Sequence, residues 1–197
     1  MKSVLHIISS ARGSHSYSKG LSSAIVKKLT EKNDVKTVVE RDLTKEFPPF
    51  LDPMLIGEFY KNPETIDEDG KLLLKHSGTF FNEINNADVI VIGTPMHNLG
   101  ISAPLKAWID QIVRFGVTYW YNTEGVRTGF FKGKKVYLAI ASGGKLSDWP
   151  DGNDYIESYI KTVFNAYMGI TDVYTLRVEG TAVSDFKADY EQIIQDL

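Results

Sequence analysis

The stretch Gly93–Asp110 reads GTPMHNLGISAPLKAWID, and its folding decides the architecture of the chain. The residues Ala87 to Gly93, ADVIVIG, form an apolar run rich in β-branched side chains, as expected of a strand buried on both faces. Downstream, Ala103 to Val113 carries apolar residues at helical spacing, with Ser102 placed as N-cap and Pro104 in the first turn. The turn between holds Pro95, Met96, His97, Asn98 and Gly100, and no catalytic pair. Such a turn offers backbone and side-chain amides rather than a nucleophile.

The same alternation repeats outward in both directions. Strands are expected at Val4–Ile8, Val35–Val39, Lys135–Ser142 and Val173–Val178. Helices are expected over Ser18–Leu29, Asp67–Ile84, Asp154–Met168 closed by Gly169, and Ser184–Leu197. The segment RDLTKEFPPFLD, with its paired prolines, reads as an irregular loop. Alternating strands and helices predict a parallel sheet covered on both faces. Five such units match a flavodoxin-like, doubly wound α/β fold with strand order 2-1-3-4-5, in one domain spanning residues 1–197. One excursion at about residues 115–133, FGVTYWYNTEGVRTGFFKGK, interrupts the rhythm. Its aromatic run and Glu124-Gly125 turn predict an extended or hairpin segment.

Composition excludes several classes of function. The formal net charge of −3 gives no basic face for nucleic acid or anionic membrane. With no cysteine there is no disulfide, thiolate nucleophile or Cys-ligated metal. No His/Asp/Glu group has metal spacing, and no serine sits in a G-x-S-x-G elbow. The N-terminal apolar run is too short for a signal peptide, and no segment approaches a membrane span, so a cytoplasmic protein is expected. His6, within a strand, reads as a packed core histidine.

In an open α/β sheet, ligands bind outside the C-terminal ends of the strands at the switch point. Three loops meet there. SSARGSHSYS, after strand 1, has five serines just before a helix; hydroxyls and free helix amides together suit a single phosphate monoester. It is neither a P-loop nor a dinucleotide fingerprint. The loop Met96–Leu99 suits the flat, hydrogen-bonding edge of a ring such as isoalloxazine. ASGGKLSDWP, with Gly143 and Gly144, lets backbone approach that ring closely.

These motifs resemble those of the FMN-dependent NADH:azoreductase/quinone reductase family. The likeness runs nearly end to end: the serines Ser10 and Ser16 to Ser18, RDL at Arg41–Leu43, ADVIVIGTPMHNLGISAPLKAWID, GVTYWY, GKK, the Gly143–Gly144 pair, GITDV and EG. It implies a homodimer with one FMN per subunit. Ser10, Ser16, Tyr17 and Ser18 would hold the phosphate and ribityl chain. Met96, His97, Asn98 and Leu99 would run along the ring, and Ala141, Ser142, Gly143 and Gly144 would close its far edge. Many members have Tyr or Trp in place of His97, and Ser and Arg in place of Ala141 and Ser142.

The resemblance further implies ping-pong transfer of two electrons from NADH through FMN to a quinone or azo acceptor. The flavin is the reactive centre, and Asn98 and His97 are supporting groups. Tyr119, Trp120 and Tyr121 either wall the substrate slot, across a dimer interface, or pack that interface alone. The alternative function is a non-enzymatic, flavodoxin-type electron carrier. The aromatic excursion and the modest net charge stand against it.

Overall fold

A computed structural model describes residues 1–32, 34–149 and 154–197. Its centre is a five-stranded parallel sheet built from β1 (Lys2–Ile8), β2 (Val35–Asp42), β3 (Val89–Pro95), β6 (Lys135–Ala141) and β7 (Asp172–Val178). The spatial order is β2-β1-β3-β6-β7, which is 2-1-3-4-5 counted along the parallel strands. The short strands β4 (Tyr119–Tyr121) and β5 (Arg127–Gly129) form a separate antiparallel hairpin.

The period-two rule explains the layering. Leu5, Ile7, Ile90, Ile92, Val136, Leu138 and Ile140 point to one face. There they meet α4 (Lys75–Asn86), α5 (Ala103–Ile112) and α6 (Tyr155–Val163) through Phe80, Ile84, Leu105, Trp108, Ile109, Ile156 and Ile160. Val4, Val89, Val91, Tyr137, Ala139 and Ala141 point to the other face, under Leu21 and Ile25 of α1 (Tyr17–Glu31). Burying each such aliphatic side chain contributes about 1.5–3 kcal/mol. His6 also faces α1, with Nε2 2.8 Å from Ser22 Oγ, as expected of a packed histidine.

Gly93 sets the closeness of α1. A Cβ there would lie 2.6 Å from Ser22 Oγ and 2.9 Å from the Ser18 carbonyl oxygen. Its absence lets the first turn of α1 sit directly on the end of β3.

Three expectations need correction. The last helix is only α7, Tyr190–Ile193. The preceding segment is instead pinned to α1 in a non-helical path, with Asp185 at φ 58° and the Phe186 carbonyl accepting a bond from Tyr17. The helix expected over Asp67–Ile84 divides at Leu74 into α3 (Glu68–Leu73) and α4. The break seats Leu74 in a satellite core with Leu55 and Phe59. Finally, β2 runs on to Asp42, into the segment expected to be loop.

Beyond that loop lies α2 (Pro53–Phe59), which the hydrophobic pattern did not suggest. Its signal is local: Asp52 Oδ1 accepts from the Leu55 amide at 2.8 Å, with proline following the cap.

The excursion is a hairpin, one of the two forms expected. Arg127 stacks over Tyr167 at 4.1 Å, and Tyr119 meets the same ring edge-on at 5.0 Å. Gly129 lies against Met168 and Gly169 so closely that a Cβ would overlap their backbone. The π-helical turn Phe164–Met168, which continues α6, ends as expected in Gly169 at φ 76° and leads into β7. The hairpin is therefore seated at the N-terminal side of the sheet.

Candidate functional site

Three loops converge at the C-terminal ends of β1, β3 and β6. The first opens α1. Ser16 is its N-cap, with Oγ accepting from the Lys19 amide at 3.1 Å and lying 3.2 Å from Ser18 Oγ. Ser10, Ser16 and Ser18 are all buried. The amides of Tyr17 and Ser18 have no acceptor among the described residues. Buried hydroxyls around unpaired helix N-terminal amides form an anion cradle. Arg12, on the wall of the same cleft, adds a cation. The Tyr17 hydroxyl is committed elsewhere, donating to Phe186 O at 3.0 Å.

The second loop is a tight turn. His97 and Gly100 exchange both backbone bonds at 3.0 Å, with Asn98 at φ 49° and Leu99 at φ 66° between them. Two left-handed central residues make this a type I′-like turn. Asn tolerates that conformation, but leucine is strained in it by about 1–2 kcal/mol. The Met96 amide is spent on Ala141 O at 2.8 Å, which ties the turn to the third loop.

In the third loop, the Ser142 hydroxyl donates to Gly144 O at 2.7 Å. Gly143 O and Ser142 O accept from the amides of Ala182 and Thr181. The amides of Gly143 and Gly144 have no acceptor among the described residues. Pro150, the end of this loop as read from sequence, lies outside the described residues.

These loops enclose a cleft of about 210 Å³. Ser10, Ser16, Tyr17 and Ser18 line one part, Met96 and His97 the middle, and Ala141 and Gly143 the far side. Asn98, Leu99, Ser142 and Gly144, also expected here, are not part of its lining; the Ser142–Gly144 bond lies in the loop that carries Gly143. Arg12, which belongs to the serine loop, also lines the cleft, as do Thr181 and Ala182, which were missed from sequence. The only signal for those two was the Glu179-Gly180 pair, whose glycine sits at φ 74°.

A larger groove of about 900 Å³ opens on the other side of the turn. His97, Asn98 and Ile101 form one wall, Lys106 of α5 and Tyr155, Ser158, Tyr159 and Thr162 of α6 the rest. Burial, reinforced by the Asp110 charge, pushes the Tyr159 phenol up to about 12. Leu99 projects at the turn, 45% exposed. His97 borders both cavities.

Tyr119, Trp120 and Tyr121 line neither space within one chain. Tyr119 instead borders a separate pocket of about 210 Å³ with Phe59, Tyr60 and Phe115. Among the described residues, no His/Cys/Asp/Glu group is placed to hold a metal, and no helix is long and apolar enough to cross a membrane.

This cleft, at the switch point of a 2-1-3-4-5 sheet, defines a class of protein, and comparison with known proteins agrees. The model of the flavodoxin-like fold family matches residues 2–197. An FMN-dependent NADH:quinone oxidoreductase of Herminiimonas arsenicoxydans is 38% identical over 184 residues, 93% of this chain and 89% of that protein. One of Ralstonia nicotianae is 40% identical over 183 residues, 91% of this chain and 86% of that one. The crystal structure of an azoreductase from Bacillus anthracis superimposes with TM-score 0.83 at 29% identity, covering 99% of this chain and 94% of that one. The chain belongs to the flavodoxin-like family, among the FMN-dependent NADH:quinone oxidoreductases and azoreductases.

Proposed function

We propose that this chain is an FMN-dependent oxidoreductase that passes two electrons from NADH to quinones and reductively cleaves azo compounds. The observation that carries this reading is the single cleft joining an anion cradle to a turn and a pair of glycine amides. The residues present fit FMN. Ser10, Ser16 and Ser18 with the free amides of Tyr17 and Ser18 suit one phosphate. Met96, His97, Asn98 and Leu99 would hold the ring along the turn, and Ala141, Ser142, Gly143 and Gly144 its far edge. FMN, when bound, supplies the two-electron chemistry. The side chains orient it, and the free Gly143 and Gly144 amides favour negative charge at the ring edge. Asn98 both donates and accepts, so its amide can follow a change in hydrogen-bond demand there.

The working form is a homodimer in the cytoplasm. Phe50, Phe115, Trp120, Tyr121 and Phe130 are all exposed, a poor surface for a monomer. A second copy would cover them and bring its Tyr119, Trp120 and Tyr121 to the acceptor slot. The names of the relatives and the apolar groove beside the cleft favour an enzyme over an electron carrier.

The test is direct. Heat-released cofactor should be FMN by mass, at one per chain. Anaerobic NADH should bleach it, and benzoquinone should restore its colour. Light scattering should give about twice the chain mass. FAD, or an apoprotein that takes up no flavin, would refute the reading.

A further inference from the structure

We propose that His97 is the proton donor to the acceptor; this rests on the oxidoreductase reading above. Reducing a quinone to a hydroquinone takes two electrons and two protons. NADH delivers the electrons with one hydrogen, so the second proton must come from elsewhere. In this step an imidazolium N–H bond breaks and an acceptor O–H bond forms. The carbonyl carbon–oxygen π bond is lost as the acceptor takes up the two electrons and one hydrogen that NADH gave up in the preceding half-reaction. The neutral imidazole then recovers its proton from water.

Three observations place His97 in this role. It is the residue that lines both the cofactor cleft and the groove beside it through its own side of the turn, together with the adjoining backbone. Its backbone is fixed by the paired bonds to Gly100, so the ring is presented from a rigid base. Its ring has no hydrogen-bond partner among the described residues, so both nitrogens are free to meet an acceptor.

The other titratable side chains lining the two cavities are Arg12 and Tyr17 at the cleft and Lys106, Tyr155 and Tyr159 at the groove, none of them an imidazole. The Tyr17 hydroxyl is committed to Phe186 O. Lys106 on α5 is paired with Asp110 at 2.5 Å. On α6, Tyr155 is a phenol, and Tyr159 is held near 12. Histidine is the side chain whose ordinary titration falls in the physiological range.

The discriminating experiment compares two acceptors. Benzoquinone needs protons and ferricyanide does not. Prereduced holoprotein is mixed with each by stopped flow from pH 5.5 to 8.5, with rates expressed per bound FMN. In His97→Gln, the quinone rate should fall roughly hundredfold more than the ferricyanide rate, the usual scale of general acid catalysis. The wild-type decline of the quinone rate with rising pH should disappear. In unmodified protein, D2O should slow the quinone reaction and not the ferricyanide one. A readout without turnover is the ¹⁵N-histidine spectrum of oxidised holoprotein titrated with phenol, a redox-inert stand-in for the acceptor oxygen; His97 should shift selectively.

Equal loss with both acceptors, an unchanged pH profile, no isotope effect, or no shift of His97 would overturn the proposal. The broader reading fails separately: apoprotein that takes up no FMN in a fluorescence titration sinks both. FMN uptake and reduction by NADH, with His97→Gln retaining the wild-type ratio of rates, sinks only the role of His97.

Discussion

The buried His6 makes the fold acid-sensitive in a calculable way. Its side chain is 3% exposed, in the middle of β1. Burial holds the imidazole down from its ordinary 6.5 to about 4; Lys19 adds to this, while Glu40 and Asp42 oppose it. The Glu40 carboxylate, 3.8 Å from Nδ1, is half exposed and cannot reverse the effect. Above pH 6.5 both folded and unfolded chains keep the ring neutral, and no stability depends on it. Below that, the unfolded chain binds a proton the folded chain refuses, so stability falls as pH falls. At about 1.4 kcal/mol per pH unit, holding the ring neutral from 6.5 to about 4 costs about 3 kcal/mol. For a chain of this size that is a fall of about 6–12 °C in Tm. His6→Val keeps an apolar, β-branched strand residue, and Ser22 retains its 3.1 Å bond to Lys19 O. Calorimetry of both proteins from pH 7.5 to 4 gives the assay, because the shared carboxylates cancel in the difference. The wild-type curve should drop away from the variant's below pH 6.5 and run parallel to it again below 4. Curves parallel throughout would refute the buried neutral histidine.

Other perturbations test the site. Leu99→Gly relieves the strain at φ 66°, offset by the entropy of an added glycine; Tm should rise by a few degrees or stay level, while FMN affinity in a fluorescence titration falls. Asn98→Leu puts a second strained leucine into the turn and so lowers Tm as well as function. Asn98→Gly keeps the turn and removes only the amide, so it should cost roughly ten- to hundredfold in FMN affinity or quinone turnover at unchanged Tm. Unchanged affinity and turnover in Asn98→Gly would make that residue a turn former alone. Ser16→Ala removes the cap on the Lys19 amide; urea denaturation should show a loss of about 1 kcal/mol, with FMN binding weakened in addition.

What the sequence revealed and what it hid have the same physical origin. The apolar runs of β1, β3 and β6 and the helical spacing of α5 were legible because both faces of the sheet are buried, and burial dictates side-chain type at every position. The serine loop, the Met96–Leu99 turn and the glycine pair were legible because chain topology alone brings strand ends together. Thr181 and Ala182 were not, since they enter the cleft through irregular backbone that no periodicity marks. The place of Tyr119–Tyr121 was hidden for another reason: the hairpin is fixed by Gly129 fitting against Gly169, a contact between segments distant in sequence. The turn geometry itself runs against local rules, which would put glycine rather than Leu99 at the second left-handed position. The paired His97–Gly100 bonds, and the Met96 bond to Ala141, over-determine the conformation and hold leucine there. Nearby, Ser102 Oγ and Trp108 Nε1 are buried without a partner, so α5 too sets aside a local preference beside the cleft. Departures from local preference concentrate where a protein is constrained by something other than folding. Here two of them lie close in sequence to His97, at Leu99 and Ser102, and the paired bonds to Gly100 fix its backbone between the two cavities.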